Sequence, residues 1–457
     1  MVEKKINFVS ITNKLQKLIS IISPNSTLNQ TKIEIVSGIT TFMTMAYILF
    51  VNANILSETG MNKNAVMLAT ALSAGITTIL MGLYAKYPFA LAPGMGLNAY
   101  FAYSVCIGMN LPWQVALGAI FFDGVLFLIL SVLPVREAIV KGIPLNIKYA
   151  VSVGIGLFIA FIGLNHAGIV VPSKSTIVTL GNITSSSVLL VIFGLFLTTL
   201  LIAKKIKGSL LWGIIATTIF GFFIPSPEGS GSLTKVPERI LALPSLNILS
   251  QTFGKLDILG AIKFGFISII FTFAFVDIFD TIGTVIGLAS KLKIIDREGS
   301  FPRAGRVLTC DAIGTILGSI FGTSTVTTYI ESASGISEGG KTGLTAITCG
   351  ILFLLSIFFW PLAGIVPVEA TAPALIIVGL LMMEPILKIN YEEITESLPA
   401  FLTMIVMPLT YSIANGLIFG IISYTVLKLV TGKTKEISPV MIVLSLLFII
   451  YFIKGTH

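Results

Sequence analysis

Apolar runs of membrane-spanning length recur along nearly the whole chain, separated by short polar connections, and within them polar and apolar positions do not alternate. Runs such as 188–203 and 342–360 are continuous. That is the pattern of membrane helices, whereas the strands of an outer-membrane barrel would change face at every residue. The pattern predicts spans at 36–56, 65–85, 88–108, 113–133, 149–170, 188–203 and 210–223. A polar stretch containing Pro and Ser, from Pro225 to Leu256, forms the midpoint. Beyond it come 262–290, 307–321, a short Gly/Thr/Ser-rich segment at 322–335, then 344–361, 374–383 and 398–430. The last contains the breaking sequence MPLTYSIANG and reads as two short helices; 440–453 is a further span or lies along the interface.

The two halves are variations on one plan: a long span, a second span, then a broken third segment. The broken segments are ALAPGMGLNAYFAY and GTSTVTTYIESASG. Apolar segments interrupted by Gly or Pro at matching places in two halves are the best sequence pointer to a carrier's central binding site. Thr44 precedes Asn98 by as many residues as Asp277 precedes Glu331, so the first span of each half keeps one separation from its broken segment. Seven elements per half, an odd number, would insert the halves with opposite orientation. The organisation expected is an N-terminal arm (1–30), a first repeat (31–225), a polar connecting loop (226–258), a second repeat (259–433) and an apolar tail (434–457).

Composition agrees with the pattern: 55% hydrophobic residues and only 11% charged ones, with a mean hydropathy of +0.97. The net charge of +8 does not imply nucleic acid, because Lys and Arg cluster in short connections. Lys4, Lys5, Lys14 and Lys17 precede the first span, and Arg136, Lys141 and Lys148, then Lys204, Lys205 and Lys207, then Lys291 through Arg306 follow. This positive-inside distribution places the N-terminus in the cytoplasm, as a retained basic arm without a signal-peptide pattern. Cys106, Cys310 and Cys349 lie in or beside apolar segments with no paired spacing, so neither a disulfide framework nor a zinc site is indicated. GSFPRAGR lacks the GxxxxGK[ST] arrangement of a P-loop, and no nucleophile–base pair stands out, so an enzyme is not expected and no cofactor is implied.

The chemistry concentrates in three acids: Asp277 and Asp280 in FTFAFVDIFDTIGT, and Glu331 in TTYIESASG. A charged side chain at the bilayer centre costs ~2.5 kcal/mol or more on insertion scales, so such residues face a cavity, a partner or a translocation path. Asp277 and Asp280 are three apart and share one helix face. Two nearby carboxylates in low dielectric do not readily both ionise, which suits one of them to carry a proton. Glu331 follows the hydroxyls of Thr323, Ser324, Thr325, Thr327 and Thr328, which can satisfy backbone freed where a helix breaks. The half-helix after Glu331 would present amide donors to a ligand or to the carboxylate itself. In APGMGLNAYF, Pro93, Gly94 and Gly96 break the helix, and Asn98 offers a donor and an acceptor together. Tyr329 and Ile330 join the candidate binding set as neighbours of Glu331. Asp123 and Asp311 read as packing, capping or gating residues, His166 as an interfacial one. Glu338, Lys341, Glu384, Glu392, Glu393 and Glu396 read as solvated span ends.

Together, TTFMTMAYILFVN, APGMGLNAYFAY, FVDIFDTIGT, FPRAGRVLTCDAIGT, GTSTVTTYIES with GISEGGKTGLTA, and ALIIVGLLM resemble the adenine–guanine–hypoxanthine permease branch of the nucleobase–cation symporters, from about Thr31 to Lys433. The resemblance implies fourteen transmembrane segments in two inverted seven-segment repeats, divided into core and gate domains, an all-α polytopic fold. It also implies that the broken third and tenth segments carry short antiparallel strands facing each other at the binding site. By motif, Asp277 and Glu331 match acidic substrate-contacting positions, Asn98 and Gly96 functional positions of the third segment, and Asp280 the second acid of the eighth. The tenth segment lacks the Asn-x-Gly signature of the xanthine/uric acid and uracil branches, which favours hypoxanthine, guanine or adenine.

The expectation is therefore a carrier in the cell membrane importing a purine with a proton held by Asp277, Asp280 or Glu331, with sodium as the alternative ion. A homodimer fits the resemblance. An anion permease of the same architecture is the competing carrier, though three acids at the site disfavour an anion. From other classes, a membrane enzyme lacks its constellation, and a channel would lack saturable, gradient-dependent uptake.

Overall fold

Inside a bilayer each backbone N–H and C=O needs a partner within the protein, so continuous apolar runs fold as helices and any break must be repaired by side chains. The computed structural model, which describes residues 28–132, 142–226, 231–236, 239–244, 246–265, 269–295 and 301–454, follows that rule. Of the arm expected at 1–30, residues 1–27 lie outside the described residues, as do Arg136 and Lys141, and 28–30 are helical. The first half comprises α1 (Leu28–Met45), α2 (Ile48–Ser57), α3 (Lys63–Leu80), β1 (Leu91–Pro93), α4 (Met95–Ala99), α5 (Trp113–Val132), α6 (Leu145–His166), β2 (Val170–Ser173), β3 (Ile177–Leu180), α7 (Ser186–Ala203) and α8 (Ser209–Gly221). The second comprises α9 (Ile258–Gly265), α10 (Phe271–Lys291), α11 (Ala304–Phe321), β4 (Val326–Thr328), α12 (Ser332–Ser337), α13 (Gly343–Leu355), α14 (Val368–Leu381), α15 (Ile394–Leu409), α16 (Ile413–Val430) and α17 (Pro439–Lys454). Among the described residues, ten helices are long and apolar enough to cross a membrane.

Local sequence explains the ends. Asn62 caps α3, its side chain accepting from the amides of Asn64 and Ala65. Ser185, Thr342 and Ser412 do the same for α7, α13 and α16. The interrupted run at 398–430 is two helices, α15 and α16, separated at Tyr411, whose φ is 51°. The span expected at 88–108 is instead β1, α4 and a π-helical stretch, Tyr100–Gly108, because Pro93 and Gly94 prevent one continuous helix. The span expected to end at Val170 stops at His166, and the residues after it turn into the antiparallel hairpin β2–β3.

The helices fall into two packing groups, each drawn from both halves of the chain, which are the core and the gate. In the core, α3 packs on α13, α11 on α5 and α3, and α10 on α5; in the gate, α6 packs on α14 and α15, and α15 on α16. Each group is held by close approach of small residues, the usual device where lipid removes the hydrophobic advantage of helix contact. A Cβ on Gly343 would stand 1.9 Å from the carbonyl oxygen of Gly82, and one on Gly379 would stand 2.5 Å from that of Gly156. Apolar positions facing outward, such as Phe196, Leu200, Leu380 and Val443, suit a lipid surround.

Candidate functional site

The two broken segments meet. β1 and β4 pair antiparallel with Leu91 opposite Thr328, Ala92 opposite Thr327 and Pro93 opposite Val326. The ladder continues at both ends, from the Gly94 amide to the Thr325 carbonyl (2.9 Å) and from the Tyr329 amide to the Ala90 carbonyl (2.9 Å). Outward-facing backbone is met by hydroxyls. Thr78 of α3 accepts from the Leu91 amide at 2.9 Å and lies 3.1 Å from its carbonyl, and Ser332 Oγ accepts from the Ala90 amide at 2.9 Å. The strands are thus isolated from water yet satisfied, the condition under which non-helical backbone survives at membrane depth.

Around this crossing stand most of the residues singled out from the sequence. Glu331 is at the start of α12 but does not cap it; its Oε1 accepts from the Tyr47 hydroxyl at 2.7 Å, at the break between α1 and α2. Of the two partners expected for the half-helix amides, a ligand or the Glu331 carboxylate, the carboxylate is not one, since it makes no cap hydrogen bond and turns toward Tyr47. The Tyr329 hydroxyl donates to the Pro93 carbonyl, clamping one broken segment to the other. Ile330 is 53% exposed and leans toward Gly287 of α10. Asn98 is fully buried; its Nδ2 lies 3.4 Å from the Pro93 carbonyl, and its Oδ1 has no protein partner among the described residues. Ser324 Oγ and Thr325 Oγ1 are likewise buried and unpartnered. Gly96 faces Ile155 of α6, where a Cβ would come within 2.6 Å of Ile155 Cγ2, so this glycine lets core and gate touch.

The acids of α10 separate. Asp280 reaches the strand crossing: a Cβ on Gly94 would lie 3.0 Å from Thr327 Oγ1 and 3.6 Å from Asp280 Oδ2. Asp277, one turn earlier, is 0% exposed and faces other carboxyl groups, those of Asp123 on α5 and Asp311 on α11. Asp311 is tied to α10 and β4 by the hydroxyls of Thr281 and Thr328, the latter at 2.6 Å. Tyr47 and the Asp123–Asp277–Asp311 group were not weighed from sequence as parts of one site. The available signals were a tyrosine inside the TTFMTMAYILFVN motif and an acid in the apolar run AIFFDGVLF.

Glu338, Lys341, Glu384 and Glu392 are exposed, as the sequence suggested, but Glu393 and Glu396 belong to an ion network around the buried Lys428. Lys428 on α16 is 0% exposed, with Nζ 3.0 Å from Glu393, 2.9 Å from Glu396 and 2.5 Å from Glu436. Those three carboxylates lie close enough together for a metal site, but the lysine ammonium already stands among them. Glu393 and Glu396, expected to be simply solvated, are anchors of this ion network. Glu338 pairs with Lys207 at 2.7 Å. His166 Nε2 lies 3.0 Å from Glu58 Oε1 and 2.8 Å from the Tyr103 hydroxyl, joining α6 of the gate to the core.

Two half-segments crossing between a core and a gate in a multi-pass helical chain define a membrane permease. The model described as "Permease family" (Xan_ur_permease) matches residues 32–420, and the chain belongs to that family, in the branch of the adenine and guanine/hypoxanthine permeases. It is 44% identical over 417 residues to the adenine permease AdeP of Escherichia coli, covering 91% of this chain and 92% of the relative. It is 44% identical over 431 residues to the guanine/hypoxanthine permease PbuG of Bacillus subtilis, covering 92% and 96%. Among solved structures, the transmembrane domain of a cyanobacterial bicarbonate transporter, BicA, superposes with a TM-score of 0.66 over 85% of this chain and 98% of that one. At 14% identity that likeness concerns the fold alone.

Proposed function

We propose that this chain is a secondary-active carrier that imports purine nucleobases, hypoxanthine, guanine or adenine, together with a proton, by movement of the core against the gate. The observation that carries the reading is the Glu331 carboxylate at the β1–β4 crossing, with Asp280, Asn98, Tyr329 and Ile330 around it. A purine presents ring N–H donors and carbonyl, amino or ring-nitrogen groups on adjacent edges. Carboxylates accept from its donors, and the Asn98 amide with its unpartnered oxygen offers a complementary edge. Such a site rejects an analogue lacking one hydrogen-bonding group, because its own buried polar atoms are left unpaired. The names of the relatives support the choice of substrate class. The reading extends to a chain in the cell membrane with a cytoplasmic N-terminus and allows a homodimer.

The test is uptake of radiolabelled hypoxanthine, guanine, adenine, uracil and xanthine in a permease-deficient host, with Glu331→Ala and Asp277→Ala alongside. Saturable purine uptake that is lost in both variants is expected. Uptake surviving in both moves the site elsewhere, and transport of sulfate with no base transported replaces the reading by an anion permease. Stimulation by sodium in place of external acid changes the coupling ion.

A further inference from the structure

Of the acids buried in the core, one has no hydrogen-bond partner among the described residues. Asp123, in the middle of α5, is 0% exposed, and neither of its carboxyl oxygens meets a hydrogen-bond donor among the described residues. Its neighbourhood is fixed by packing. Phe127, one turn on, joins Ile278 of α10 and Ala312 of α11 in one apolar cluster. A Cβ on the adjacent Gly124 would stand 3.1 Å from Thr315 Cγ2 of α11. Asp277 of α10 lies among the carboxyl groups of Asp123, Asp311 and Asp280.

Counting donors separates the acids. Each threonine hydroxyl has a single proton to give. That of Thr281 lies 3.4 Å from Asp277 Oδ1 but much closer to Asp311, and it is committed there. That of Thr315 is divided between Asp277 Oδ2 at 3.4 Å and the Val326 carbonyl at 3.3 Å. Asp311 also receives the Thr328 hydroxyl, and Glu331 receives that of Tyr47. Among the core acids that are 0% exposed, Asp277 and Asp123 are thus the two without a dedicated donor; Asp280 is only half-buried. Among the described residues no cation compensates Asp277 and Asp123: of the elements packed on α5, α9 carries only the exposed Lys263, α10 ends in the exposed Lys291, and α11 begins near the exposed Arg306, which stacks over Tyr84. The π-helical stretch adds only the buried Tyr100, Tyr103 and Cys106. A buried carboxyl group with neither cation nor donor requires a hydrogen of its own.

We infer that Asp123 and Asp277 together hold the transported proton, at a site behind the strand crossing and distinct from the purine-facing Glu331. The inference rests on the proton-symport reading above. Both residues lie on helices of the core, so the proton travels with the core: the pair takes it from water on the outer side and releases it on the inner side. Glu331, paired with Tyr47, remains an acceptor for the purine. One proton per base means that an outside one pH unit more acidic sustains about a tenfold accumulation of base.

The experiment uses the full-length protein in proteoliposomes, with hypoxanthine as probe, comparing the wild type with Asp123→Asn and Asp123→Glu. Absence of acid-driven accumulation in the wild type refutes proton symport itself, and the assignment of Asp123 falls with it. With accumulation present, Asp123→Asn is expected to exchange labelled for unlabelled hypoxanthine at equal pH on both sides while losing the accumulation. Acid-driven accumulation in Asp123→Asn equal to that of the wild type refutes Asp123 alone. If Asp123→Asn does not insert, infrared difference spectra on hypoxanthine binding decide: the carbonyl stretch of a protonated carboxyl group is expected to shift in Asp123→Glu. An unshifted or absent band overturns the assignment.

Discussion

Lys428 in the gate and Asp123 in the core are both ionisable side chains buried completely within apolar helices, yet their surroundings are opposite. Lys428 is met by three carboxylates, and Lys433 pairs with the same Glu393 oxygen as Lys428 does. Asp123 lies beside the Asp277 carboxyl group, and among the described residues neither of its oxygens meets a donor. A matched buried charge joins elements: here the ammonium binds the start of α15, the end of α16 and the turn at Thr434–Glu436 into one unit. An unmatched one adds nothing to cohesion and is retained only where its protonation or its ligand serves a purpose. Charge compensation thus distinguishes the ion network of the gate from the uncompensated acids of the core.

The largest effect that would break this contrast is on stability. Lys428→Met leaves three carboxylates facing one another around an apolar side chain. Losing one member of a buried ion group costs about 3 kcal/mol, the lower end of the usual range, because Glu393 and Glu436 reach water. Thermal unfolding in detergent is expected at a clearly lower temperature for Lys428→Met, and at an unchanged or higher one for Asp123→Asn. Equal losses in both variants would mean that the acid cluster of the core is as structural as the lysine network.

Next in size is the hydrogen bond that sets Glu331 apart from Asp123. Tyr47→Phe keeps the ring and removes only the hydroxyl donating to Glu331 at 2.7 Å. A hydrogen bond to a charged group contributes about 1.5–3 kcal/mol, and partial exposure of Glu331 allows water to restore some of it. Apparent affinity for purine is expected to weaken about tenfold, with the maximal rate nearly kept, as measured by uptake against purine concentration. An unchanged affinity would place the Tyr47–Glu331 pair outside the binding surface.

Much of this organisation is written locally and some of it is not. Hydropathy placed most of the helices to within a few residues, because an apolar run of spanning length has few alternatives, but the first starts at Leu28 rather than 36 and breaks after Met45. Pro93 and Gly94 announced the broken third segment, and the unusual density of hydroxyls before Glu331 announced its counterpart. The hairpin β2–β3 was missed because its strands are four residues each and the first begins at the end of an apolar run, where Val170 reads as part of the span. Tyr47 was missed for a different reason: its partner is 284 residues away, and no local pattern encodes that meeting. Lys428 carried a signal that was passed over, a lysine inside the apolar helix ISYTVLKLV. The separation of Asp277 from Asp280 was also hidden, because three-residue spacing gives a shared face but not which neighbours fill it.

The smallest expected effect tests the exposed rim of the matched site. Glu393, a third exposed at the start of α15, is held down from 4.5 to about 2, by Lys433 first and then by Thr395 and Lys428. A carboxyl group whose value is lower in the folded state than in the unfolded one favours folding while it is ionised. Its contribution is complete above about pH 4.5 and is lost as the pH falls toward 2. Because the pair reaches water, salt screens it and the contribution is modest. The melting temperature in detergent is expected to fall more steeply between about pH 5 and pH 3 for the wild type than for Glu393→Gln, and the difference should shrink in high salt. Parallel slopes would assign the anchoring of Lys428 to Glu396 and Glu436, narrowing the matched site to its more buried half without altering its contrast with the unmatched acids of the core.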